Sequence, residues 1–275
     1  MKSKRLCFII RMSALLLLLL AFTIIVFFSY HYFESFDTSD DSVQLVIARY
    51  NEDLSWIHDA PFNKFKHIIY NKSDNSNFQT SSKTVRVVDL PNVGRCDHTY
   101  LYHVIHSYDR LSDITVFLPG SLSMEGKRKK ATHLLEEIQV KKQNVFLGTK
   151  YDNVQKTLYE FKLDDWKASD TKNSSLNSEQ RLTPAPLRPF GKWFGEVFGN
   201  VLIDYVSYYG IFSVDRREIR QHPKSYYESL IQPLEVSSNP EVGHYFERSW
   251  NAVFHPMSHT LFFSFDGGAS PPQNE

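Results

Sequence analysis

The stretch Leu90–Gly120 constrains the fold most, because it reads without interruption as turn, helix, turn and strand. Pro91-Asn92-Val93-Gly94 is turn chemistry, since Pro cannot donate to a strand ladder and Gly permits positive φ. Beyond it Tyr100, Leu101, Val104, Ile105 and Tyr108 recur with a helical period and define an apolar face over 97–108. Ile114–Leu118 is a short, apolar, β-rich run suited to a buried strand. Between turn and helix lie Asn92, Arg95, Asp97, His98 and Thr99, where free N–H groups of a helix start can hold an anion. Asp97 or Thr99 can also serve simply as a helix cap. Arg95 opposes the helix dipole there and calls for a partner of its own.

Three more apolar runs precede this stretch: Val43–Ala48, His67–Tyr70 and Val85–Leu90, with a helix expected to start at Leu54–Ile57. The order strand, helix, strand, strand, helix, strand predicts an α/β domain with a mixed sheet flanked by helices and ligands at the carboxyl ends of the strands. Polar clusters fall at those ends. They are Arg49-Tyr50-Asn51-Glu52-Asp53, Asn71-Lys72-Ser73-Asp74, the Asn92–His98 group and Ser121. Glu52 and Asp53 also fit a plain helix start, where carboxylates complement the dipole.

Downstream, Lys127–Lys130 is a basic run, read as a solvated helix face with a phosphate site as the alternative. Helices are expected at His133–Val140, Phe190–Phe198, Asp215–Ile219, Pro223–Ile231 and Val242–Phe254. A strand or its end falls at Val145–Gly148, and a turn followed by a strand lies within Val201–Val214. Residues 165–190 carry Ser, Asn, Asp and Pro without a period and read as a long loop. The domain is expected over 43–262, with a disordered tail over 263–275.

The N-terminus reads as a membrane anchor. A basic tail over 1–12 (Lys2, Lys4, Arg5, Arg11) precedes an apolar, uncharged stretch, 13–30, that ends in bulky aromatic residues rather than in a small-residue cleavage site. Glu34, Asp37, Asp40 and Asp41 follow in a short stem over 31–42. This charge order predicts a single-pass type II protein with a luminal domain, in the Golgi or another secretory membrane. Sequons at Asn71 and Asn173 are then candidate glycosylation sites, Asn173 in a loop and Asn71 against a strand end, where enclosure is the competing expectation. Lys+Arg and Asp+Glu both total 31, so no global field attracts nucleic acid. With Cys7 and Cys96 the only cysteines, a disulfide within the domain is excluded, and Cys96 reads as a packing residue ahead of a reactive thiol.

No Walker loop, G-x-G-x-x-G, G-x-S-x-G or H-E-x-x-H is present. His98, His103 and His106 do not share one helix face, which argues against zinc. The motifs Val46–Trp56, Ile69–Lys72, Leu90–Arg95 with His98–Leu101, Thr115–Leu118, and Glu247–Trp250 with Phe254 resemble the domain-of-unknown-function 3431 family across about 43–254. That family brings no activity with it. The apolar strand ending in Tyr50-Asn51-Glu52, the Asn-x-Gly-Arg turn and the strand after it also resemble, more loosely, GT-A-fold nucleotide-sugar glycosyltransferases.

The looser resemblance implies a Rossmann-like GT-A architecture, a nucleotide-sugar donor, a glycan or protein hydroxyl as acceptor, and Mn²⁺ or Mg²⁺ held by an Asp-x-Asp. The strand here ends instead in Pro119-Gly120-Ser121, without a carboxylate. The family also usually has Gln at the Pro119 position and Glu at the Cys96 position. Either the site is metal-independent, with Arg95, Lys72 or Arg49 meeting the phosphates, or this member is a non-catalytic carbohydrate-binding or scaffold protein. On the transferase reading Arg49, Asn51, Glu52, Asp53, Lys72, Asn92, Arg95 and His98 bind substrate, and Glu247 is the base. The competing role for Glu247 is an ion pair with Arg248 beside Trp250.

Overall fold

The computed structural model describes residues 42–164 and 181–265. The expected cytosolic tail, the anchor at 13–30, the stem as far as residue 41, the Asn173 sequon and the tail beyond 265 lie outside the described residues.

Strand β1 (Val43–Arg49) buries Leu45, Val46 and Ile47 completely. The helix expected after it is replaced by two 3₁₀ turns, Ser55–His58 and Phe62–Lys64. Pro61, which has no N–H to extend a helix, separates them. Strands β2 (Lys66–Asn71) and β3 (Thr84–Asp89) lead to helix α1 (Arg95–Ser107) and strand β4 (Ile114–Pro119), every residue of which is buried. Helix α2 (Glu125–Lys141) begins well before the expected His133 and feeds strand β5 (Asn144–Lys150). Then follow α3 (Val154–Thr157), α4 (Phe190–Phe198), β6 (Tyr205–Val206), β7 (Phe212–Asp215), α5 (Arg216–Arg220) and α6 (Lys224–Ile231).

The helix expected at Val242–Phe254 is two: α7 (Glu241–Glu247) and α8 (Trp250–Val253). They part at Ser249, whose backbone is non-helical and whose Oγ bonds back to the Tyr245 carbonyl at 2.8 Å. The last strand, β8 (Thr260–Ser264), runs past the point where the tail was expected, because Phe263 and Ser264 pair with Leu147 and Gly148 of β5.

The main sheet has the order β3-β2-β1-β4-β7, parallel except for β7 at its edge. A smaller sheet, β6-β5-β8, lies beyond it. The chain leaves β1 outward to β2 and β3, then returns through α1 to β4 on the opposite side of β1. The carboxyl ends of β1 and β4 therefore flank a topological switch point, where open α/β sheets receive ligands. An aromatic cluster seats the helices on the sheet beneath that point. Tyr100 of α1 packs 4.8 Å from Phe117 of β4, and Phe212 of β7 stacks 4.7 Å from Trp250 of α8 (centroid distances). Each such pair is worth about 0.5–1.5 kcal/mol beyond its area.

Candidate functional site

A cleft of about 290 Å³ opens at the switch point, between the residues that follow β1 and β4 and the start of α7. Its first wall is built by the turn before α1. Gly94 and Arg95 are both left-handed, with φ of 59° and 52°. At Gly94 a Cβ would sit 2.5 Å from the Leu234 carbonyl oxygen, so only glycine fits. At Arg95 the same conformation costs roughly 1–2 kcal/mol. It brings the guanidinium to the cleft, where Nη1 donates to His244 Nε2 at 2.9 Å and to Asn239 Oδ1 at 3.3 Å. Because Arg can only donate, His244 accepts at Nε2 and is the neutral, Nδ1-protonated ring. Burial, then Arg95 and Arg248, hold its pKa well below the usual histidine range. Lys72 reaches under the turn from the end of β2, donating to the carbonyls of Val93 and Arg95, and its burial pushes the ammonium pKa down to about 7.

The facing groups come from α2, α7 and the segment before β7. Lys127 Nζ donates to Ser121 Oγ at 2.7 Å, and its burial lowers its pKa. Glu247 Oε1 accepts the Tyr209 backbone N–H at 2.7 Å, and Oε2 lies 3.6 Å from Arg248 Nη1. Arg248 is 4% exposed, its guanidinium 3.6 Å from the Phe161 ring centroid and bonded to the His244 carbonyl at 2.8 Å. Tyr209 lines the cleft with φ at 73°. Of the three non-glycine residues with positive φ among the described residues, Arg95 and Tyr209 thus lie in the cleft, and the third, Lys142, ends α2. Strain at such positions persists where the surroundings enforce it, a recurring property of working sites.

The structure brings Arg49, Glu52, Lys72, Asn92, Arg95 and Glu247 to this cleft. Two of them are corrected in role. Arg49 is 2% exposed; its Nη1 donates to Asn71 Oδ1 at 2.6 Å and to the Tyr50 and Asn75 carbonyls, and Nε donates to the Glu52 carbonyl. It ties the ends of β1 and β2 rather than offering its charge to a ligand. Lys72 is similarly committed to the turn and positions Arg95. Glu52 folds over its own loop, its Oε2 accepting the N–H groups of Tyr50 and Asn51 at 2.7 and 3.1 Å.

Asn51, Asp53 and His98 do not line the cleft. Asn51 Oδ1 accepts from Asn75, and Asp53 Oδ1 accepts the Ser55 N–H at 2.9 Å, a local turn contact. His98 points away from the cleft toward Glu235, 4.0 Å distant, and burial, with Lys72 and His106, lowers its pKa to about 3. The Asn71 sequon is corrected too. Its side chain is buried, with Nδ2 donating to the Ser73 carbonyl and Asp89 Oδ1, so a glycan has no exit from that amide.

The sequence singled out neither Tyr209, Asn239 nor His244; it offered Lys127 only within a basic run read first as a solvated face, and Asp97 as part of an anion-holding helix start or as a cap. The basic run divides four ways: Lys127 enters the cleft, Arg128 pairs with Asp59, Lys129 is exposed, and Lys130 is buried against Ser207 Oγ and the Tyr208 carbonyl, both at 2.8 Å. Spacing of basic residues around α2 was the one available signal. The donor set does not suit a resident Mn²⁺ or Mg²⁺. Among the described residues no three His, Cys, Asp or Glu side chains converge to hold a metal ion, and Oε2 of Glu52 already accepts two backbone N–H groups and Oε1 of Glu247 one.

A family described as "Protein of unknown function (DUF3431)" matches residues 45–261. No curated protein matches the chain. Similar solved structures include 4-diphosphocytidyl-2C-methyl-D-erythritol synthase from Anaerococcus prevotii DSM 20548, at 10% identity and a TM-score of 0.35, covering 85% of this chain and 92% of that one. Another is CMP:2-keto-3-deoxy-manno-octonic acid synthetase complexed with CTP, at 12% identity and a TM-score of 0.34, covering 82% and 90%.

Proposed function

The chain belongs to the DUF3431 family, whose description assigns no activity, and for this member we propose transfer of a sugar from a nucleotide-sugar donor to a hydroxyl of a glycan or protein. The observation that carries the proposal is the pairing, in one switch-point cleft, of two cations with a carboxylate: Arg95 and Lys127 with Glu247. A leaving diphosphate needs cationic hydrogen-bond donors fixed in advance, and an acceptor hydroxyl needs a base. Arg95 and Lys127 meet the diphosphate oxygens. Glu247 takes the acceptor proton as the acceptor oxygen bonds to the anomeric carbon and the bond from that carbon to the phosphate oxygen breaks. The electron pair of that bond leaves with the diphosphate. The Tyr209 N–H holds Oε1 of Glu247 in place, and Oε2, 3.6 Å from the Arg248 guanidinium, is the oxygen that takes the proton.

The test is nucleoside diphosphate release from a panel of nucleotide sugars, with saccharide acceptors, alongside calorimetric binding. Arg95→Ala removes a charge-assisted contact worth roughly 1.5–3 kcal/mol, so donor affinity should fall about tenfold to a hundredfold. Glu247→Gln should keep donor binding and abolish release. A folded wild type that binds no nucleotide sugar sinks the proposal. A second reading, carbohydrate binding without catalysis, is favoured by the Pro119-Gly120-Ser121 end of β4, which has no carboxylate. It predicts saccharide binding with no release.

A further inference from the structure

Asp97 stands in the wall of the same cleft and has no part in the reaction above. It is 2% exposed, and its Oδ1 meets no hydrogen-bond partner among the described residues. Its Oδ2 lies 3.7 Å from Cys96 Sγ, a weak donor. Gly243, one turn before Glu247 on α7, faces it. A Cβ at Gly243 would sit 3.3 Å from Oδ2, tighter than an ordinary contact, so glycine lets the carboxyl pack close against α7 in the cleft wall. A carboxyl so enclosed is costly to ionise and costly to leave without a partner.

The groups around it are Arg95 and Cys96 on its own helix, Lys72 from the end of β2, Lys127 from α2, Tyr209 from the segment before β7, and His244 and Glu247 from α7. Arg95 and Lys72 favour the ionised form. However, Arg95 is bonded to His244 and Asn239, and Lys72 to two carbonyls. Glu247 favours the neutral form.

Resting on the nucleotide-sugar reading, we propose that Asp97 enters the complex protonated and donates a hydrogen bond to an oxygen of the phosphorylated donor. The donor is then bound together with one proton held by the protein, and Asp97 is a contact residue distinct from the base Glu247. Burial is the chief reason, lifting the Asp97 pKa to about 7, with Glu247 adding to the rise and Arg95 opposing it.

The experiment is calorimetric titration of the full chain in detergent with uridine diphosphate glucose and guanosine diphosphate mannose, at about pH 6 and about pH 8. The diphosphate of these probes is esterified at both ends and takes up no proton in that range, so any slope belongs to the protein. With a group titrating at about 7, affinity should fall about tenfold between the two conditions. Asp97→Asn, which keeps the shape and mimics the neutral carboxyl, should lose the part of the slope that belongs to Asp97, leaving only what Lys72, also titrating at about 7, contributes. Unchanged wild-type affinity, or an equal slope in Asp97→Asn, overturns the proposal and leaves the donor reading standing.

A second measurement does not need a ligand. The infrared carbonyl band of a protonated carboxyl should be present at about pH 6, diminished at about pH 8, and missing from Asp97→Asn by difference. No such difference band means an ionised Asp97, and the proposal fails. A difference band with no binding of either probe overturns the donor reading, and the ligand contact with it.

Discussion

At the scale of single residues, the cleft is organised by groups whose charge is either spent on the fold or withheld from it. Arg49 and Lys72 are basic groups near the ligand space, yet their donors go to carbonyls and to Asn71. Asp97 is the opposite case, a carboxyl with no strong donor of its own. Its raised pKa has a consequence for stability as well as for binding. The folded state holds a proton on Asp97 up to about pH 7, whereas the unfolded chain releases it near 3.8. Between those values the native state binds more protons. The stabilisation from Asp97 is therefore complete below 3.8 and is lost as pH rises through about 7. The size is on the order of a few kcal/mol at full loss, since each tenfold difference in proton affinity between the folded and unfolded chain corresponds to about 1.4 kcal/mol. Denaturant melts of wild type and Asp97→Asn across this window should converge at its acid end and separate toward neutrality, with the variant the more stable. Parallel curves would mean that Asp97 is ionised throughout.

At the scale of elements, the turn before α1 sets the site. Gly94→Ala must hold a Cβ at positive φ against the Leu234 carbonyl oxygen at 2.5 Å and His98 Cβ at 2.7 Å. Strain and overpacking together should cost roughly 2–5 kcal/mol. A urea midpoint within error of wild type would show that the turn relaxes freely, and the same variant should lose donor affinity because Arg95 follows Gly94. This turn was legible in the sequence, as were β1, β4 and the span of α4, because each is dominated by local chemistry: Pro-Gly punctuation, continuous apolar runs, a dense aromatic period. What was not legible depends on distant partners. Nothing local tells Lys127 and Lys130 from Arg128 and Lys129; one enters the cleft and one the core because α2 lies along both. Asn51 and Asp53 sit beside Glu52 in sequence, but local bonds to Asn75 and Ser55 keep them out of the cleft. Residues 263 and 264 look like tail until β5 offers them a partner. His244 shows no motif, and its role exists only because Arg95 reaches it across the sheet end.

At the scale of the whole molecule, the proposed reaction requires the domain to meet nucleotide sugars and acceptors in one compartment, and from the N-terminal sequence we propose that this compartment is the lumen of a secretory membrane. Residues 13–30 are apolar and uncharged, preceded by Lys2, Lys4, Arg5 and Arg11 and followed by Glu34, Asp37, Asp40 and Asp41. The bias in Lys and Arg orients such a segment with its amino end in the cytosol. In sealed microsomes the full chain should therefore resist alkaline carbonate extraction, and its domain should resist added protease until detergent opens the vesicles. The two sequons sharpen the test. Asn71 is sequestered by Arg49 and Asp89, so a luminal domain can carry a glycan at Asn173 and not at Asn71. The expected mass shift on deglycosylation is that of one chain, removed by Asn173→Gln. Digestion of the domain in intact vesicles would reverse the topology and, with it, the supply of luminal donors on which the proposed transfer depends. Two glycans on a folded chain would instead mean that the β1–β2 junction opens to free Asn71, and the Arg49 network that shapes one side of the cleft would have to open with it.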